Sequence, residues 1–265
     1  MDVYQITVRI SKTFYTKEER MKKLALIISV FMFFGLCAVA VLAQDEATEM
    51  SPMEKADALY NQKTMDSVKE AVTIYESLME GNEEAAWKFA RAAYWVGVRT
   101  TGKDAQEAIF DKAYNAVKPY FDAGTTNINT NYWFALCAGK YGKLHGIVQS
   151  LFLVKPMKTA CERVINQDEG YEDGSALVIY GAIEYEVPGG NKDVTVDYCN
   201  RALKYDPDGI STNLYLAKAY YDMKEYAKAK ERLEHLIANG KPETKDDKAD
   251  MAEAEELLAK VNEKM

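Results

Sequence analysis

The chain has 265 residues, 48% of them apolar and 28% charged, with a net charge of −8. That composition suits a globular fold with a sizeable core, and an acidic chain without a basic run gains nothing from phosphate backbones, which excludes nucleic acid as a partner. Four cysteines without metal-ligand spacing and only two histidines offer no dense metal or cofactor motif, so no cofactor is expected.

Met21-Lys22-Lys23 precedes an apolar run from Leu24 to Leu42, which exits through Val41 and Ala43. A charged start, an apolar centre and a small-residue exit predict a secretory signal peptide over 21–43, and with it a periplasmic location. The run is also long enough for a membrane anchor, but Asp45 and Glu46 follow it rather than positive charge. Leu36 directly before Cys37 makes a poor lipobox, so no lipid anchor is expected. Residues 1–20 are then an untranslated or disordered extension, with translation starting at Met21, and 44–50 a linker. Cys137, Cys161 and Cys199 lie beyond this region. Each sits in a helical pattern, as small buried apolar residues do.

Ser51-Pro52 opens the first helix of the body, with Ala56, Leu59 and Tyr60 inward. A second helix is predicted over 64–80, where Val68, Ala71, Val72, Tyr75, Leu78 and Met79 recur at helical spacing and Gly81 ends the run. The third, 82–97, carries Trp87, Ala90, Arg91 and Tyr94, and its partner has the stripe Ala108, Ile109, Ala113, Ala116 and Val117. A fifth pattern covers 131–142. An almost wholly apolar stretch follows, through Ile147, Val148, Leu151, Phe152, Leu153 and Val154, until Lys155-Pro156 breaks it. This predicts an extra helix inserted in the central repeat, and a helix apolar on most sides is buried or faces a cavity. The acidic stretch 168–174 lacks the ligand spacing of a calcium loop and reads as a turn, as does Pro188-Gly189-Gly190.

Leu216, Ala217 and Tyr220, followed by Ala229 and Leu233, have the spacing of a tetratricopeptide repeat, in which small residues let two helices cross closely. Asp206-Pro207 closes the preceding pair. Lys218, Ala219 and Lys224 are indifferent to the pattern and are expected in solvent. After Gly240 a polar linker leads to a last helix, 246–263, whose narrow stripe of Ala254, Leu257, Leu258 and Val261 suits a solenoid cap. The prediction is all-α: a tetratricopeptide-type helical-hairpin solenoid over 51–240 with an inserted apolar helix, then a linker and capping helix over 241–265. About eleven or twelve helices and no strand are expected.

The runs at 85–97, 131–157 and 171–192, followed by Asn213 to Tyr221, together resemble the tetratricopeptide-like T-component family of tripartite ATP-independent periplasmic (TRAP) transporters. The most specific piece is G-K-Y-G-K-L-H-G-I-V-Q-S-L-F-L-V, 139–154. The resemblance implies a periplasmic, non-catalytic protein whose helices enclose an apolar channel or pocket, working beside a solute-binding protein that feeds a permease.

The candidate ligand-binding residues are Trp87, Arg91, Tyr94, Trp133, Tyr141 and Phe152, gathered around an apolar or amphipathic molecule, with Arg91 for a carboxylate. The plainer reading makes the aromatics core and Arg91 a surface residue. A second function is a scaffold holding protein segments on a concave face, as helical-repeat solenoids do. No enzyme is expected. His145, beside Gly146, has no Ser, Cys or carboxylate at motif spacing, and His235 lies on a charged helix. The expected partners are a solute-binding protein or another protein, a hydrophobic small molecule, and further copies of the chain.

Overall fold

The computed structural model describes residues 50–265, and residues 51–265 form one compact unit. The extension over 1–20, the signal peptide over 21–43 and nearly all of the 44–50 linker lie outside the described residues.

Among the described residues there are eleven helices and no strand: α1 (Pro52–Asn61), α2 (Met65–Leu78), α3 (Glu83–Arg99), α4 (Lys103–Asp122), α5 (Ile128–His145), α6 (Ile147–Gln167), α7 (Tyr171–Glu186), α8 (Lys192–Ala202), α9 (Ile210–Asp222), α10 (Tyr226–Asn239) and α11 (Lys245–Asn262). Short polar side chains set their starts. Ser51 and Glu54 form a capping box on α1, Thr64 and Ser67 on α2, and Thr244 and Asp247 on α11. Asn82, Asn127 and Asn191 cap α3, α5 and α8 by accepting backbone N–H bonds.

Consecutive helices pack as hairpins, α1 on α2 through to α9 on α10, and α11 covers α10 and α9. First helices of successive hairpins also touch: α3 meets α5, α5 meets α7, α7 meets α9, and α9 meets α11. This is the helical-hairpin solenoid of the tetratricopeptide type. Its repeat signature sits as the spacing requires, with Leu216, Ala217, Ala229 and Leu233 all fully buried. Lys218 and Ala219 do not lie in solvent. Ala219 is fully buried, and the Lys218 ammonium pairs with Glu253 at 2.8 Å while resting over the rings of Tyr185 and Tyr215. The stripe on α4 is also richer than predicted: Phe110, Tyr114 and Phe121 join Ala113 and Val117, while Ala108 is exposed.

The apolar stretch after Gly146 is not a separate inserted helix. It forms the first two turns of α6, which runs unbroken through Pro156. Pro156 removes the hydrogen bond to the Phe152 carbonyl, and Phe152 stands on the solvent side. Nor is the stretch buried. Leu153 turns inward in register with Ala160, Cys161 and Val164, and a run apolar all round must then leave its other side out. Ile147, Val148, Leu151 and Phe152 are accordingly exposed, Phe152 by 73%. Gly146 makes the sharp reversal from α5 into α6 at φ 93°, a backbone region that costs a side chain but not glycine. Close contact follows at once, since a Cβ on Gly142 would lie 3.1 Å from the Ser150 Cα.

Cys137, Cys161 and Cys199 are free and buried. Burial pushes all three thiols up, Cys199 to about 12.

Candidate functional site

The helices that touch from hairpin to hairpin, α3, α5, α7 and α9, share the wall of a cleft. One part, about 640 Å³, is apolar. Ala135, Ala138, Gly139 and Gly142 floor it from α5, Ile147, Val154 and Met157 come from α6, and Ile183 and Tyr215 from α7 and α9. Lys140 and Lys143 stand at its rim. The other part, about 570 Å³, is acidic. Asp173, Asp206, Asp208, Glu243 and Asp247 line it, with Lys241 the one lysine or arginine among the lining residues described. Leu136 and Ile179 belong to both parts, so the wall is continuous.

Local structure explains the acidic end. Glu172, Asp173 and Gly174 all have positive φ, forming a left-handed turn ahead of the regular part of α7. Two side-chain-bearing residues there cost about 1–2 kcal/mol each, and the turn places Asp173 in the cleft. Nearby, burial pushes the Asp250 carboxyl above its ordinary range. Glu253, Asp246 and Asp247 add to this, against the bond from Ser211. Negative charge is therefore crowded on this side.

The six residues selected from the sequence do not converge on one pocket. Trp87 and Arg91 lie together near α1. The Arg91 guanidinium rests 4.0 Å over the Tyr60 ring and 3.6 Å from Asp57, so the carboxylate it meets belongs to its own chain. Asp57 also accepts from the Tyr75 hydroxyl at 2.6 Å and from the Lys88 ammonium at 2.7 Å. Burial alone would raise the Asp57 carboxyl, but the Lys88 and Tyr75 bonds outweigh it and hold it below the usual range. Tyr94 and Trp133 form a second group, their rings 5.9 Å apart. Trp133 is core at 8% exposure, whereas Tyr94 reaches the apolar part of the cleft. Burial drives the Tyr94 phenol far above its ordinary value, so it stays neutral. Tyr141 is elsewhere, stacked between Tyr114 and His145. Phe152 is on the outer surface.

Sequence reasoning missed Leu136, Ile179, Asp173 and Asp208. A signal for the floor was present, because Ala135, Ala138, Gly139 and Gly142 fall at i, i+3, i+4 and i+7, one face of a helix made of small residues. Nothing comparable marked Asp173 or Asp208, which line one cleft only after folding.

A thermophilic TPR protein of Thermus thermophilus superposes over 77% of this chain and 96% of its own, with a TM-score of 0.51 at 15% identity, a likeness of fold. MamA matches over 61% of this chain and 92% of its own, at 20% identity and a TM-score of 0.42. Regulator of microtubule dynamics protein 1 of Bos taurus is 23% identical over 91% of this chain and 84% of its own length. The family model for regulator of microtubule dynamics protein 1-3 matches residues 52–191, more than half of the chain. Those residues include nearly all the stretches that resembled the TRAP T-component family, so that resemblance is overturned. The permease association and the periplasmic location fall with it. The resemblance leaned most on the run 139–154, which lies within the matched residues. By the residues it matches, the chain belongs to the regulator of microtubule dynamics protein 1-3 family.

Proposed function

We propose that this chain is a non-catalytic scaffold whose cleft takes a segment of another protein, one that carries a basic residue beside apolar side chains. The supporting observation is the change of character along a single wall, from the small-residue floor at Gly139 and Gly142 to the carboxylates at Asp173, Asp206, Asp208 and Asp247. Apolar side chains gain about 25 cal/mol for each Å² withdrawn from water against such a floor. A lysine or arginine at the other end meets several carboxylates at once, which fixes the direction in which the segment lies and speeds its arrival. Helical-repeat solenoids offer extended surfaces of this kind. The family name ties its members to microtubule dynamics, and in this reading the docked segment belongs to a protein of that process.

The test is fluorescence anisotropy with labelled peptides in which Lys or Arg alternates with Leu or Phe, beside matched peptides carrying Glu instead. Saturable binding of the basic set is expected. It should weaken about tenfold with Asp208→Lys, as for a charge contact at an interface rim or better, and also with Ile179→Glu at the junction of the two parts. Equal binding of the acidic set, or indifference to both substitutions, would sink the reading.

A further inference from the structure

Away from the cleft, α4 and α5 bring together three side chains that neither the fold nor the docking proposal uses. Glu107 and Asp111 are one turn apart on α4 and therefore share a face. Against them α5 delivers its last residue, His145. Its Nε2 lies 3.5 Å from Glu107 Oε1 and 3.5 Å from Asp111 Oδ1, and one donor atom from each of the three residues falls within 4.8 Å of the others.

The hydrogen bonding fixes what these atoms present to one another. His145 Nδ1 lies 2.9 Å from the Tyr141 carbonyl oxygen. A carbonyl only accepts, so Nδ1 carries the hydrogen, and in the neutral ring Nε2 turns a bare lone pair toward two carboxylates. Stacking on Tyr141, with ring centroids 4.1 Å apart, holds the imidazole in place. Asp111 Oδ1 is itself buried and has no hydrogen-bond partner among the described residues. Three acceptors facing one another favour a positive species among them, either a proton on Nε2 or a metal ion.

Distance separates the two. A protonated imidazole bonded to a carboxylate would close to about 2.7–2.9 Å. Four-coordinate zinc, with bonds of about 2.0–2.2 Å, holds neighbouring ligand atoms roughly 3.4 Å apart. The two separations of 3.5 Å match the second case. We propose that Glu107, Asp111 and His145 form a site for a divalent transition metal of the zinc class, with a fourth position open to water or a partner's side chain. A mixed imidazole and carboxylate set favours such ions over Mg²⁺ and Ca²⁺, which take oxygen ligands. The Tyr141 carbonyl acts as the outer partner that orients the histidine. Bound metal would pin the start of α4 to the end of α5, one residue before Gly146, steadying the reversal from which the exposed apolar turns of α6 project.

Zinc titration of the full chain by calorimetry tests this, with Co²⁺ absorption as a second readout. One equivalent of Zn²⁺ should bind, excess Mg²⁺ or Ca²⁺ should not compete, and Co²⁺ should show the visible bands of a four-coordinate ion. Affinity should fall by about a hundredfold or more in His145→Ala, exceeding the loss typical of an outer-shell change. Glu107→Gln and Asp111→Asn keep the side-chain shape, and circular dichroism confirms their folding. Both should lose the cobalt bands, while His235→Ala should keep them. If the wild type takes up no zinc, the proposal fails. It fails equally if His145→Ala binds zinc as tightly as the wild type, or if His235→Ala abolishes binding.

Discussion

The two ends of the solenoid are held together by different side chains. From α1 to α7 the core is aromatic. Phe121 and Phe134 stack with centroids 3.8 Å apart, Tyr114 stacks on Tyr141, and Tyr132 and Trp133 meet edge to face. From α9 to α11 the core is a separate, aliphatic cluster of Leu214, Ala217, Ala229, Leu233, Leu236, Ala254, Leu257 and Val261. The family match covers the aromatic part and stops at residue 191, whereas the generic repeat spacing lies in the aliphatic part. Large rings fill gaps of one particular shape. Alanines and leucines at a close crossing satisfy any repeat of this kind and mark only the fold.

The sharpest way to break that comparison is to empty each core in turn. Phe134 is 1% exposed, and Phe134→Ala should cost about 3–5 kcal/mol. Leu233→Ala, at a fully buried position, should cost about 2–4 kcal/mol. In a stack whose repeats rest on their neighbours, the damage should stay local. Hydrogen exchange should show lost protection in α3 to α6 for the first variant and in α9 to α11 for the second. Uniform loss along the chain in both would mean one cooperative core.

A smaller effect separates the ends by charge. Asp57 binds Tyr75, Lys88 and Arg91 within the aromatic part. Asp57→Asn keeps the shape and loses the charge, and should cost about 2 kcal/mol, the scale of hydrogen bonds to a charged group reduced by partial solvent access. Because the folded carboxyl is held below its ordinary value, its contribution is present above the unfolded pKa of about 3.9 and is lost as pH falls through the folded value. Urea midpoints of the wild type should therefore drop below about pH 4, and those of Asp57→Asn should drop less. Equal slopes for the two would remove Asp57 from the acid response.

Much of the fold was legible because period and caps are local. The Ser51-Pro52 start, the Thr64 start and the 216–233 signature are each written within a few residues. Lys218 was misread for the opposite reason. Its place between Tyr185, Tyr215 and Glu253 depends on two other helices, α7 and α11, as well as its own. The run after Gly146 was misread because apolarity alone does not say which face turns inward, and Leu153, Ala160 and Cys161 decide that through packing. The metal-ligand trio escaped for the same reason as the acidic cleft. Glu107 and Asp111 have helical spacing, but His145 reaches them only when α5 folds back on α4.

The smallest expected effect concerns what ties the two ends to each other. At its start α11 returns to the aromatic part, where Asp246 pairs with Lys140 of α5 and Glu243 lies 3.7 Å from Arg99 of α3. The Asp246 side chain is half exposed, so such a pair contributes about 0–1 kcal/mol. Asp246 also sits in the first turn of α11, where a negative charge favours the helix by about 0.3–1 kcal/mol without any partner. Asp246→Asn loses both contributions and Lys140→Ala loses the pair together with its 6.0 Å approach to the Tyr94 ring, and the double-mutant cycle isolates the contact between the two parts. A coupling energy below about 1 kcal/mol is expected, with faster amide exchange confined to the first turns of α11. A larger coupling, or a loss of stability rivalling that of Asp57→Asn, would mean that the aliphatic end relies on the aromatic end for its folding, and the division into two cores would give way to a closed ring.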